Sequence, residues 1–160
     1  MRARAQAAMM ATMKTKRELA ATEDAGWKTM LDLVESLTPR QVEQEGYYPE
    51  GWSVKDMLAH IGNWQAEAGL VLQQIRLGTF RDDPVDVDAM NQRFFEANKD
   101  LPLPVVRAES WSARIRMLTE WNALPEVTSK AEEWFAESGP DHYEEHMDRL
   151  RDWVAELKER

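Results

Sequence analysis

The three histidines of this 160-residue chain, His60, His142 and His146, each fall on the apolar stripe of an expected helix, and two of them are spaced i, i+4. Residues four apart on a helix project side by side, with Cβ atoms about 5–6 Å apart, so the imidazoles of His142 and His146 can reach one ion. A third nitrogen must come from elsewhere in the chain, and His60 is the remaining histidine. Three neutral nitrogens without a thiolate fill only part of a tetrahedral or octahedral shell, which is the ligand count of an open, catalytic metal centre rather than a closed structural one. The expected occupant is a divalent cation such as zinc, nickel, iron or manganese.

Helical periodicity accounts for most of the chain. From about Thr15 to Leu37, Leu19, Trp27, Met30, Leu31, Val34 and Leu37 recur with a period near 3.6. Thr38-Pro39 reads as a cap and first-position proline for a short turn, and Gly46-Tyr47-Tyr48-Pro49-Glu50-Gly51 as an aromatic, packed loop. Ser53 caps a second long helix, with Asp56 in its first turn and a stripe of Met57, His60, Ile61, Trp64, Ala68, Val71, Leu72 and Ile75 running to Gly78. A shorter helix spans about Asp86 to Lys99 with Val87, Met90, Phe94 and Ala97 inward. The next runs from the Leu101-Pro102-Leu103-Pro104 break to about Leu124 and carries Trp111, Ile115, Leu118 and Trp121. After a mixed stretch containing Trp134 and Phe135, Ser138-Gly139-Pro140 starts a last helix with His142, His146, Leu150, Trp153 and Leu157 on one face. Few residues favour strands. The pattern predicts an all-α fold, an antiparallel four-helix bundle with a short accessory helix, formed by residues 15–160 behind a flexible N-terminal extension of residues 1–14.

That topology gives the histidines a reason to meet. In an up-down-up-down bundle the second and fourth main helices run parallel, so their N-terminal ends share one end of the molecule. His60 lies about 10 Å along its helix from Ser53, and His142 and His146 about 6 and 12 Å from Ser138, at 1.5 Å per residue. Read singly, an inward histidine is commonly a hydrogen-bonded core residue; the matching depths favour a shared ion. Di-iron chemistry is not supported, because Met57 and Gly139, rather than glutamates, precede His60 and His142 by three. Glu145, about 100° around the helix from His146, reads as a solvated charge. Asn91, Tyr47, Tyr48 and Tyr143 are polar groups near the expected site whose ordinary role is packing or capping, and Trp52 and Trp64 read mainly as core.

Composition narrows the function classes. A net charge of −9 repels phosphate backbones and anionic lipid, so neither nucleic acid nor membrane is an expected partner. No run approaches the roughly 18 apolar residues of a membrane span. The chain has no cysteine, which excludes a thiolate ligand or nucleophile of its own and fits a reducing compartment, the cytoplasm.

The segment Gly51-Trp52-Ser53-Val54-Lys55-Asp56-Met57-Leu58-Ala59-His60-Ile61 resembles the W-S-x-x-D-x-x-x-H block of the DinB/YfiT-like superfamily, and His142-Tyr143-x-x-His146 resembles its second signature, the match spanning about Lys16 to Trp153. That superfamily includes the N-terminal domain of mycothiol-dependent maleylpyruvate isomerase. The resemblance implies a four-helix bundle carrying a divalent metal on one histidine from the second helix and two from the last, here His60, His142 and His146. It also implies transfer of a low-molecular-weight thiol (bacillithiol, mycothiol or glutathione) to a small-molecule substrate, or hydrolysis of a small molecule, and suggests a homodimer. A non-catalytic bundle that binds a ligand or a protein is the alternative outside enzymology. The cluster Met9, Met10 and Met13 places a candidate translational start at Met10 or Met13; the intact mass of the natural protein decides between these and Met1.

Overall fold

Seven helices and no strand make up residues 2–159, the part described by the computed structural model: α1 Arg2–Glu35, α2 Pro39–Val42, α3 Val54–Leu77, α4 Val87–Asn98, α5 Leu103–Ala123, α6 Ser129–Ser138 and α7 Pro140–Lys158. None of them is long and apolar enough to cross a membrane. The expected all-α class holds, and Thr38 and Ser53 cap their helices as expected, whereas Ser138 closes α6 and α7 follows from Gly139 without a side-chain cap. Thr38 makes a reciprocal capping box with Gln41 at α2, and Ser53 makes one with Asp56 at α3. Gly78 ends α3 at φ +71°, a left-handed conformation that spares a side chain the Cβ clash.

α3 is the central element. It packs most extensively on α5 and also meets α6, α4 and α7, while α1 lies mainly against α7. The α3–α5 approach is close because Gly62 and Gly69 face α5: a Cβ at Gly62 would lie 2.9 Å from Ser110 Cα, and one at Gly69 3.5 Å from the Met117 backbone nitrogen. Ser110 uses that proximity to donate to the Leu58 carbonyl at 2.9 Å. At the other end of α5, Lys16 Nζ donates to the carbonyls of Asn122, at 3.0 Å, and Leu124, while Trp121 Nε1 donates to the Lys16 carbonyl at 3.1 Å. A lysine at a helix C-terminus satisfies orphan carbonyls and opposes the negative end of the dipole.

The apolar interior forms two clusters. One joins Trp27, Met30 and Val34 of α1 to Met57 and Ile61 of α3 and Leu150 and Trp153 of α7. The other joins Ala68 and Leu72 of α3 to Met117 and Trp121 of α5 and Phe135 of α6. Between them, in the buried register of their own helices, lie polar residues: Glu23 on α1, Gln65 on α3 and Arg114 on α5.

Four sequence expectations change. α1 begins at Arg2 rather than about Thr15, with Met9, Met10 and Met13 exposed. The stretch around Trp134 and Phe135 is a helix, α6, capped by the Thr128 side chain on the Ala131 N–H. On α5 the expected face holds only in part: Trp121 is buried and Leu118 packs against the second cluster, but Trp111 and Ile115 are 50% and 42% exposed, whereas Ser110, Arg114 and Glu120 are buried. Buried polar partners override the hydrophobic pattern there. On α4, Val87 and Ala97 are exposed and Met90 and Phe94 are half-buried, because this helix covers one side of α3 instead of entering the core.

The glycine contact makes a testable point. Gly62→Ala gains about 1 kcal/mol of helix propensity but drives a methyl into Ser110, and overpacking of this kind costs about 1–3 kcal/mol. Urea unfolding should show a net loss of stability, whereas Gly78→Ala, in open space but at positive φ, should lose about 1 kcal/mol through the backbone alone.

Candidate metal centre

The first turn of α3 is closed by a capping box before His60 is reached. The Ser53 backbone N–H donates to Asp56 Oδ2 at 2.8 Å and the Asp56 N–H donates to Ser53 Oγ at 3.3 Å. Upstream, the aromatic loop closes on itself through Tyr47 N–H to the Trp52 carbonyl at 2.9 Å and Gly51 N–H to the Tyr48 carbonyl at 3.0 Å. Gly46 and Gly51 supply positive φ values of 105° and 86° that such a tight loop needs. Arg149 ties this loop to α7: its Nε donates to the Tyr47 carbonyl at 2.6 Å, and its guanidinium lies 5.5 Å from the Tyr47 ring and 5.2 Å from that of Trp153. The loop is therefore held against the helix that carries the histidine pair.

His60 from α3 and His142 and His146 from α7 converge. One ring nitrogen from each lies within 4.8 Å of those from the other two, forming a group that could hold a metal ion. Ring centroids are 4.8 Å apart for His60 and His142, 5.4 Å for His60 and His146, and 5.1 Å for His142 and His146. The Nε2 atoms of His60 and His142 face each other at 2.9 Å. Their Nδ1 atoms are buried and without a hydrogen-bond partner. His146 differs: its Nδ1 is 2.8 Å from the Tyr48 hydroxyl.

All three imidazoles are neutral at pH 7. Burial, joined by the charge of His146, lowers His60 from 6.5 to about 4. Burial, with His60 and His146 as neighbours, lowers His142 to about 3, and burial alone lowers His146 to about 4. Neutral imidazole is the form that binds metal. With both rings neutral, the facing Nε2 pair of His60 and His142 can share a single proton only by leaving unpaired nitrogens elsewhere on both rings. A cation accepting both lone pairs removes that conflict at the facing atoms.

The surroundings are aromatic. Trp52 lies 5.4 Å from the His60 ring and stacks on Phe95 of α4 with an interplanar angle of 2°. A small recess beside His60 is bounded by these two rings with Asp56, Phe94 and Asn98. Of the other polar groups considered from sequence, Tyr48 touches a histidine nitrogen directly, and the Tyr47 hydroxyl lies against Met57 Sδ at 3.2 Å and the His146 carbonyl at 3.4 Å. Asn91 instead accepts from Trp64 Nε1 at 2.9 Å, and Tyr143 points away to Glu23, at 2.6 Å. Glu145 is exposed, as expected. Arg149 was not foreseen; its one sequence signal is a cation between Leu150 and the histidine pair on an otherwise apolar face.

Two helices of an all-α chain thus bring three imidazoles together as a group that could hold a metal ion. The chain belongs to the mycothiol maleylpyruvate isomerase N-terminal domain family, whose model matches residues 23–151. The fold is also similar to the crystal structure of an uncharacterised protein from Escherichia coli UTI89, with 16% identity and a TM-score of 0.76 over 93% of this chain and 98% of that one. No curated protein matches the chain.

The depressed histidines make stability depend on pH with a definite sign. An unfolded histidine takes up a proton near 6.5, while the folded rings resist protonation down to about 4 or 3. Metal-free protein should therefore be at full stability above about pH 6.5 and lose it progressively as pH falls toward 4. Urea midpoints at pH 7.5 and 5.0 test this, and His142→Gln should flatten the slope.

Proposed function

We propose that this chain is a metal-dependent transferase that joins a low-molecular-weight thiol to an electrophilic small molecule, within an antiparallel four-helix bundle formed by α1, α3, α5 and α7. The observation that carries the reading is the convergence of three neutral ring nitrogens from two helices on one point. Bond lengths of about 2.0–2.1 Å would hold two nitrogens no more than about 4.2 Å apart, so the separations of up to 4.8 Å close with small ring rotations. Zinc, nickel, iron and manganese are the candidate ions. When bound, such an ion would lower the pKa of a thiol or water in its open positions and polarise an electrophile.

The chain's own residues hold and shape the site. Tyr48 orients His146: with Nε2 given to an ion, Nδ1–H donates to the tyrosine oxygen, which fixes the tautomer. Trp52 and Phe95 wall off His60 and offer an apolar surface to a substrate. Since the sequence contains no cysteine, the reacting thiol arrives from solution as mycothiol, bacillithiol or glutathione. The family's description, which names a mycothiol isomerase, supports a thiol. The acidic chain is read as a cytoplasmic protein acting on small molecules, without nucleic-acid or membrane partners and with a homodimer as its assembly.

Elemental analysis of protein purified without a histidine tag should find one divalent ion per chain, and His60→Ala should abolish it. Tyr48→Phe should weaken the affinity about 10–100-fold, measured by chelator competition. Metal-loaded protein incubated with electrophiles should turn over only when one of the three thiols is added. Turnover indifferent to every thiol would replace thiol transfer with hydrolysis.

A further inference from the structure

The two α7 histidines sit in the part of that helix least supported by local interactions. α7 starts at Gly139, which offers no side-chain cap, and His142 follows within the first turn. A helix start whose N–H groups lack a capping side chain frays unless tertiary contacts hold it. Those contacts come largely from α1. Gly139 lies so close to Glu23 that an added Cβ would be 3.3 Å from Glu23 Cγ and 2.9 Å from the Phe135 carbonyl oxygen.

Tyr143, the residue after His142, is anchored at the same place. Its ring lies over Gly26, where a Cβ would come within 2.9 Å of Cδ2. Its hydroxyl donates to Glu23 Oε1 at 2.6 Å and accepts from Gln65 Nε2. Glu23 has no exposed surface and is gripped by Arg114 through two 2.7 Å bonds, Nε to Oε1 and Nη2 to Oε2. Arg114 also reaches Asp24 at 3.0 Å and lies 5.1 Å from the Trp27 ring. One hydroxyl thus links α7 to α1 and α3 directly, and to α5 through Arg114.

Geometry makes such an anchor consequential. Side chains extend about 5–6 Å from a helix axis, so a 20° rotation of α7 would displace the imidazoles by about 2 Å. Metal–nitrogen distances tolerate only about ±0.2 Å.

We propose that Tyr143 is a positioning residue for the three-histidine centre: the Glu23–Arg114–Gln65 clamp on its hydroxyl sets the rotation of α7 that aims His142 and His146 at His60. The consequence for metal rests on the reading given under Proposed function; the anchoring of the helix start does not.

Tyr143→Phe removes the hydroxyl and leaves the Glu23–Arg114 pair in place. Two measurements on the full chain test it. Cobalt(II) affinity, by competition with a chromophoric chelator, should fall at least tenfold, and the visible cobalt spectrum should change in shape. Amide hydrogen exchange in the metal-free protein should speed up at least tenfold over residues 142–146 while residues 150–157 keep their rates. Leu124→Ala, which opens the second apolar cluster far from the clamp, is the control for lost stability and should alter neither the spectrum nor the relative exchange at 142–146. If Tyr143→Phe leaves exchange at 142–146 within twofold, or binds cobalt with unchanged affinity and spectrum, the proposal is overturned. If the unmutated protein takes up no cobalt, the metal reading falls and the exchange result alone decides the role of Tyr143.

Discussion

A carboxylate with no exposed surface, Glu23, lies between two apolar clusters, and the organisation of the molecule depends on how its charge is met. An isolated ion in such a place would cost several kcal/mol after relaxation. Arg114 answers with a bidentate pair, and Tyr143 adds a third charge-assisted bond. A planar fork meeting a carboxylate tolerates little sliding or rotation, so the pair specifies how α1 and α5 are aligned as well as that they touch. Apolar packing alone is less exacting, since hydrophobic surfaces of similar shape can be repacked at modest cost. The two clusters supply cohesion; the polar layer between them supplies register.

The histidine cluster illustrates the opposite solution to burying polar groups. Glu23 and Arg114 meet each other as a bidentate pair, whereas burial holds His60, His142 and His146 neutral, with neighbouring histidines adding to it at His60 and His142. Each ring therefore keeps a lone pair at physiological pH. Binding of a cation would then compete with few protons, which separates this arrangement from exposed histidines that must first be deprotonated near neutrality. Trp52 and Tyr48 lie against these rings, 5.4 Å from His60 and 6.0 Å from His146 between centroids.

The helices that carry the histidines were legible in the sequence because their signals are local. Ser53 with Asp56, Gly78, and the Gly139-Pro140 step mark helix ends through capping chemistry, and period-3.6 stripes place His60, His142 and His146 inward. What was not legible is long-range. Glu23 falls between Leu19 and Trp27 on α1, and Arg114 between Ser110 and Met117 on α5, so both occupy core-facing registers that a hydrophobic count discards. Only the pairing of one with the other, 91 positions apart, explains them. The same omission put Trp111 and Ile115 on the expected face of α5, although both are half in solvent. α6 was missed because its apolar residues are few, and only the Thr128 cap announced it. Tyr48 looked like ordinary loop packing, since nothing local connects it to a histidine 98 positions later.

α4 stands apart from this economy. It contributes no residue to either apolar cluster, it packs chiefly on α3, and it is tied down by the Trp64–Asn91 hydrogen bond and by ring contacts of Phe94 and Phe95. Yet it supplies part of the wall beside His60. A substitution along its inner face would therefore change the wall beside His60 without opening a cavity in either apolar cluster.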